Sequence, residues 1–211
     1  MTEDSITKIA FISLGWLLGM LSPIIVNAIT RRRENILGRA AIFAELKEFA
    51  CILSIATYGA RRSLGTVDRK FLEWLKTVLE QQALTPSAQK LLPSLRTQLT
   101  WSDEQIKTAF QLIADQNGKG TILQRYSVPL LDARVSAMWT FETTFQRKLL
   151  EIRRNIALLD DVVDRSRKYF DMTFSKLDET NHNLVTENFI QACELYAERA
   201  EIIIDQIRNL D

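Results

Sequence analysis

Residues 9–29, "IAFISLGWLLGMLSPIIVNAI", carry no charged side chain, and after one threonine they are followed by Arg31, Arg32 and Arg33. A helix of that length rises about 30 Å, the thickness of the hydrocarbon core of a bilayer. No other stretch constrains the fold as much, because a soluble protein would have to bury this one on every side. A cleavable signal peptide is the rival reading, and Val26 and Ala28 have the spacing of residues before a cleavage site. However, Glu3 and Asp4 stand where a signal peptide has basic residues, and the apolar run is longer than a signal core. A retained, single-pass transmembrane helix is therefore expected.

The three arginines resist translocation, and anionic lipid headgroups attract each of them by about 1 kcal/mol. Their position predicts an N-terminus outside the membrane and a cytoplasmic domain after residue 30. Arg31, Arg32 and Arg33 are thus the expected membrane-surface residues, and the lipid bilayer with its anionic headgroups is the first expected partner. Within the run, Gly15 and Gly19 form a GxxxG, and Ser22 extends the same small-residue face. Such faces let transmembrane backbones approach closely, so these three residues are candidates for packing in a homo-oligomer. Pro23 removes one helical hydrogen bond, and its ring presses on the Gly19 carbonyl, which predicts a kink.

The remainder reads as helices. Seven glycines and four prolines are too few for the turns of an all-β fold. Residues 31–65 form a juxtamembrane block, in which Ile36, Ala40, Phe43, Ala44, Lys47, Ala50, Cys51 and Ser54 follow helical spacing. Glu45, Lys47 and Glu48 in its middle exclude a second membrane crossing, since each costs about 2.5 kcal/mol or more at a bilayer centre. "YGARRSLG" reads as its stop. Residues 66–127 form a block of short helices. Val67, Phe71, Trp74, Leu75, Val78 and Gln82 make one stripe. Thr85-Pro86 is an N-cap followed by proline, and Leu91, Leu92, Leu95 and Leu99 follow it around Pro93. Ser102 with Gln105 matches a capping box, and Trp101 with Ile106 a hydrophobic staple.

Residues 128–211 carry the longest pattern. Leu131, Val135, Met138, Glu142, Phe145, Leu149, Ile152, Ile156, Leu159 and Val163 alternate spacings of four and three, and Ser166, Phe170, Thr173 and Leu177 continue them. Glu142 alone breaks the apolar series up to Val163. This predicts one long helix, answered after the polar turn "SKLDETNHN" by Val185, Phe189, Ala192, Tyr196, Ala200, Ile203, Ile207 and Leu210. The expected fold class is all-α: one N-terminal transmembrane helix (1–30), then a cytoplasmic helical bundle with a long antiparallel, coiled-coil-like hairpin. The last helix is too short to cover the whole first arm. Met138, Trp139, Phe141 and Phe145 are left as a candidate interface, covered either by the rest of the chain or by another protein.

No catalytic, cofactor-binding or metal site is expected. "NGKGT" fails the phosphate-loop pattern twice, with Ile113 in place of its first glycine and Gly120 in place of Ser or Thr. His182 has no second histidine, and Cys51 and Cys193 are isolated. Asp160, Asp161 and Asp164 precede Arg165, Arg167 and Lys168, which suits an ion-paired surface. Glu45 and Lys47 form a Glu-x-Lys, but on a helix and without a strand. Twenty-seven basic against 26 acidic residues, with short interleaved basic runs, give no footprint for nucleic acid. The function expected is a non-enzymatic membrane-anchored tether or scaffold that holds an unidentified protein partner at the cytoplasmic face. The alternative is an oligomeric membrane effector or pore subunit controlled by its cytoplasmic helices.

Overall fold

The structure is a computed structural model of the 211-residue chain. It describes residues 3–81, 85–117, 120–135, 138, 141–176 and 178–210, without the side chains of residues 3–10, 12, 24, 31, 34 and 117. Among the described residues the fold is all-helical, with no strand. The helices are α1 (Glu3–Leu64), α2 (Arg69–Glu80), α3 (Pro86–Gln98), α4 (Asp103–Asn117), α5 (Pro129–Arg134), α6 (Thr143–Met172) and α7 (Glu179–Arg208). Packing divides the chain into two compact units, Met1–Ile42 and Phe43–Asp211.

The first unit is helix alone. It holds the apolar run, long and apolar enough to cross a membrane, with a window mean hydropathy of 1.5 and none of that window buried. Pro23 lies inside the helix.

In the second unit, α1 buries Leu46, Phe49, Leu53, Thr57, Ala60 and Leu64, with Ala50, Cys51, Ser54 and Tyr58 beside them. Of the expected stripe, Ala50, Cys51 and Ser54 are thus buried, and the rest is not. Ile36, Ala40, Ala44 and Lys47 are exposed, and Phe43 is half-buried. Leucine and phenylalanine remove more apolar area from water than alanine, so the larger side chains set which face turns inward. The helix ends as expected, at Gly65, whose φ is +72°. The Gly65 N–H donates to the Arg62 carbonyl at 3.2 Å and the Thr66 N–H to that of Arg61 at 3.0 Å, which is a Schellman closure.

α3 and α4 start where the sequence places their caps, and α2 starts at a cap not among those expected from the sequence. The Asp68 carboxylate accepts from the Phe71 N–H at 2.7 Å, and Thr85 Oγ1 accepts from Ala88 N–H at 3.4 Å. Ser102 and Gln105 form the reciprocal box, at 2.7 Å and 3.2 Å. Trp101 and Ile106 join one core cluster with Phe71, Leu72, Leu75, Leu95 and Phe110. Gln82, a member of the expected α2 stripe, lies outside the described residues.

The expected long helix from Leu131 is interrupted. α5 ends at Arg134, and α6 begins only after Glu142, whose extended backbone (φ −61°, ψ 141°) makes it the N-cap position. Thr144 Oγ1 donates to Glu142 Oε1 at 2.7 Å, and Gln146 Nε2 donates to the Phe141 carbonyl, also at 2.7 Å. The threonines of "WTFETTF" have hydroxyls that compete for local hydrogen bonds, and they favour a helix start over a helix interior. The one polar intrusion in the heptads therefore marks a boundary.

α6 and α7 pack against each other in opposite directions, pairing Phe170 with Phe189 (ring centroids 5.8 Å), Asn155 with Gln206 (2.8 Å) and Lys148 with the Asn209 carbonyl (2.8 Å). The turn between them, 173–178, is shorter than expected. Asp178 caps α7 by accepting from Asn181 N–H at 3.0 Å, so His182 lies in the first turn of that helix. Leu177, the last position of the expected register, lies outside the described residues. Burial is wider than two positions in seven: Val162, Cys193, Ala197 and Ile204 are inside as well as the expected stripe. A further layer covers that extra width. Arg61 of α1 pairs with Glu201 at 2.5 Å, and Trp74 Nε1 of α2 donates to Asp205 Oδ1 at 2.9 Å.

Candidate functional site

Gly15, Gly19 and Ser22 are exposed on α1, and a Cβ placed on either glycine would meet nothing within 4 Å. The small face expected from the sequence is therefore open in the single chain. Arg32 and Arg33 are exposed. The side chain of Arg31 lies outside the described residues.

The candidate interface is for the most part an interior. Met138 and Phe145 are each 4% exposed, and Phe141 is half-buried with its ring edge-on to Phe145 at 5.5 Å. Trp139 lies outside the described residues. Of the four, Phe141 is the described residue with surface to offer. The chain itself covers Met138 and Phe145. Upstream of them, Glu45 of α1 reaches α5. Its Oε1 accepts from the Leu130 N–H at 2.7 Å and its Oε2 from the Leu131 N–H at 2.8 Å. α5 has no side-chain cap of its own, so this carboxylate supplies one from 85 residues away. Pairing across such a distance leaves no local sequence signal.

Residues 120–128 have no helix and lie across α6 and α7. Gly120 donates to the Ser63 carbonyl at 3.4 Å, and its φ of +102° suits glycine, as does the Phe189 ring packed where a Cβ would stand. The Thr121 carbonyl accepts from the Cys193 thiol at 3.6 Å. Arg125 bonds Asp164 and lies 3.9 Å from Asp160, so the expected acidic face is ion-paired, though to Arg125 rather than to its own helix. Leu123 and Val128 are buried.

The side chains near this segment are polar. Tyr196 is fully buried and its hydroxyl has no hydrogen-bond partner among the described residues; Ser166, at 1% exposure, has its hydroxyl beside the Cys193 thiol. Burial pushes the pKa of the Cys193 thiol up, against smaller downward pulls from the Thr121 backbone and the Ser166 side chain. Burial likewise raises Tyr126, and it raises Tyr196 further, with Tyr126 and Asp160 adding to the shift. Asp160 is raised first by burial, against the pull of Arg125 and with help from Asp164, Asp161 and Asp132.

Among the described residues no three His, Cys, Asp or Glu side chains gather in a way that could hold a metal ion. Both cysteines are free and buried, with Cys51 Sγ 3.5 Å from Thr85 Oγ1. His182 is exposed. Surface depressions among the described residues are open, one beside Arg69, Asp103 and Lys107, another beside Lys148, Glu151 and Asn209, and a third beside Trp101, Glu104 and Thr108. No protein-family model matches the chain, and neither a curated protein nor a solved structure matches it.

Proposed function

We propose that this chain is a single-pass membrane protein whose C-terminal helical domain works at the cytoplasmic face as a non-enzymatic tether or scaffold for another protein. The observation that carries the reading is the apolar N-terminal helix with nothing packed over it. An apolar core helix of a soluble protein would be covered by its own fold, whereas a bilayer supplies that cover from outside. Arg31, Arg32 and Arg33 then sit among cytoplasmic headgroups, with residues before the span outside. The body of the scaffold is the α6/α7 pair, read as an antiparallel coiled-coil-like hairpin stiffened by α1 and α2.

Reporter fusions at Asp211, one active only in the cytoplasm and one only after export, test this topology together with the mass of the mature chain. Cytoplasmic activity and an uncleaved chain are expected. Activity of the exported reporter, or a chain beginning at Ile29, would overturn the reading.

The open face at Gly15, Gly19 and Ser22 favours a second reading, an oligomeric membrane effector or pore subunit. Leucine at both glycines would hold backbones apart, at a cost of about 1–2 kcal/mol per contact. For a tether, Gly15→Leu with Gly19→Leu leaves insertion and partner recovery unchanged. Membrane conductance present in the wild type and abolished in the double variant would promote the pore.

A further inference from the structure

The geometry points to residues 120–135 as a strap that opens as a unit from α6 and α7, with Glu45 of α1 as its latch. These residues comprise the non-helical segment and α5, and between Gly120 and Val135 every one is described. Among the described residues, several separate ties hold them to the rest of the fold, beginning with the Gly120 N–H on the Ser63 carbonyl. Apolar anchorage comes from Leu123, Val128 and Leu131. Polar anchorage comes from Glu45 on the α5 N-terminus, Arg125 on Asp160 and Asp164, and Asp132 on Arg153 at 2.8 Å. The Arg125 and Asp132 pairs are solvent-exposed, where ion pairs contribute little. The Glu45 carboxylate differs, because both of its oxygens take backbone N–H groups that have no other cap.

What the strap covers also argues for opening. Tyr196 is buried next to it with an unpartnered hydroxyl, and Cys193 holds the Thr121 carbonyl through a thiol, a poor donor. Elsewhere in folded proteins buried hydroxyls are usually bonded, so this strip is weakly closed by comparison with the apolar core. Local opening energies follow the number and quality of such ties, and a segment with few of them opens without the bundle melting.

Cys193 reports the opening and Cys51, buried away from the strap, reports opening of the whole domain. The full chain in lipid nanodiscs is alkylated with iodoacetamide, and each cysteine is followed by peptide mass spectrometry. Glu45→Ala and Arg125→Ala should each speed labelling of Cys193, by about tenfold or more for Glu45→Ala, and leave Cys51 at its wild-type rate. In the wild type, labelling of Cys193 should also rise less steeply with urea than labelling of Cys51, because a partial opening exposes less surface. Equal acceleration of both cysteines, no acceleration of either, or identical urea dependences would overturn the strap. A response to Arg125→Ala without one to Glu45→Ala would overturn the latch.

Discussion

Tyr196 shows what a single side chain can reveal. Its ring is fully buried and fills the α6/α7 face, while its hydroxyl has no partner in the protein and its pKa is pushed up by burial. A polar group in that state costs about 1–3 kcal/mol, whereas removing it leaves the ring's packing intact. Tyr196→Phe should therefore raise the unfolding free energy by about 1 kcal/mol, measured by urea denaturation in detergent micelles. A loss of stability on that substitution would show that the hydroxyl is bonded. Sequence places Tyr196 in the α7 stripe without difficulty, but it says nothing of the hydroxyl, whose surroundings come from Tyr126 and Asp160, 70 and 36 residues away. Gly65 is the opposite case. Two arginines and a glycine after an apolar run already spell a helix stop, and its positive φ supplies the reason.

At the scale of elements, boundaries marked by a cap or a glycine stop were readable, and the face of α1 was not. Asp68 apart, the caps at Thr85 and Ser102 could be read locally, because a cap is made by residues three apart. The face of α1 could not, since alanine stripes and leucine stripes share the same period and only packing partners choose between them. Leu46 and Lys47 separate the two registers. Leu46→Ala should cost about 2–5 kcal/mol, as an aliphatic side chain lost from the core does. Lys47→Ala, which loses only a stacking contact 4.4 Å over the Phe43 ring, should cost under about 1 kcal/mol. Equal costs in urea melts would mean that the α1 face has been misassigned. Similarly, the heptads from Leu131 onward suggested one helix because period alone cannot see a break, and Glu142 with the neighbouring threonines supplies it.

Across the whole molecule, the sequence by itself determined the all-α class, the apolar N-terminal helix and the absence of charge within it, the stop of α1 and the starts of α3 and α4, and the buried stripes of α2, α6 and α7. Each of these depends on residues near one another in the chain, where propensity, period and capping act. Only the tertiary structure decided the rest: the face α1 turns inward, the interruption before Thr143, the burial of Met138 and Phe145, and the path of residues 120–128 over Cys193 and Tyr196. Two contacts in that arrangement, Glu45 on the α5 N-terminus and Arg125 on Asp160 and Asp164, join residues 35 to 86 positions apart. Charge and hydrogen-bond complementarity at such separations depends on where the backbone has already gone, so no local pattern in the sequence could announce it.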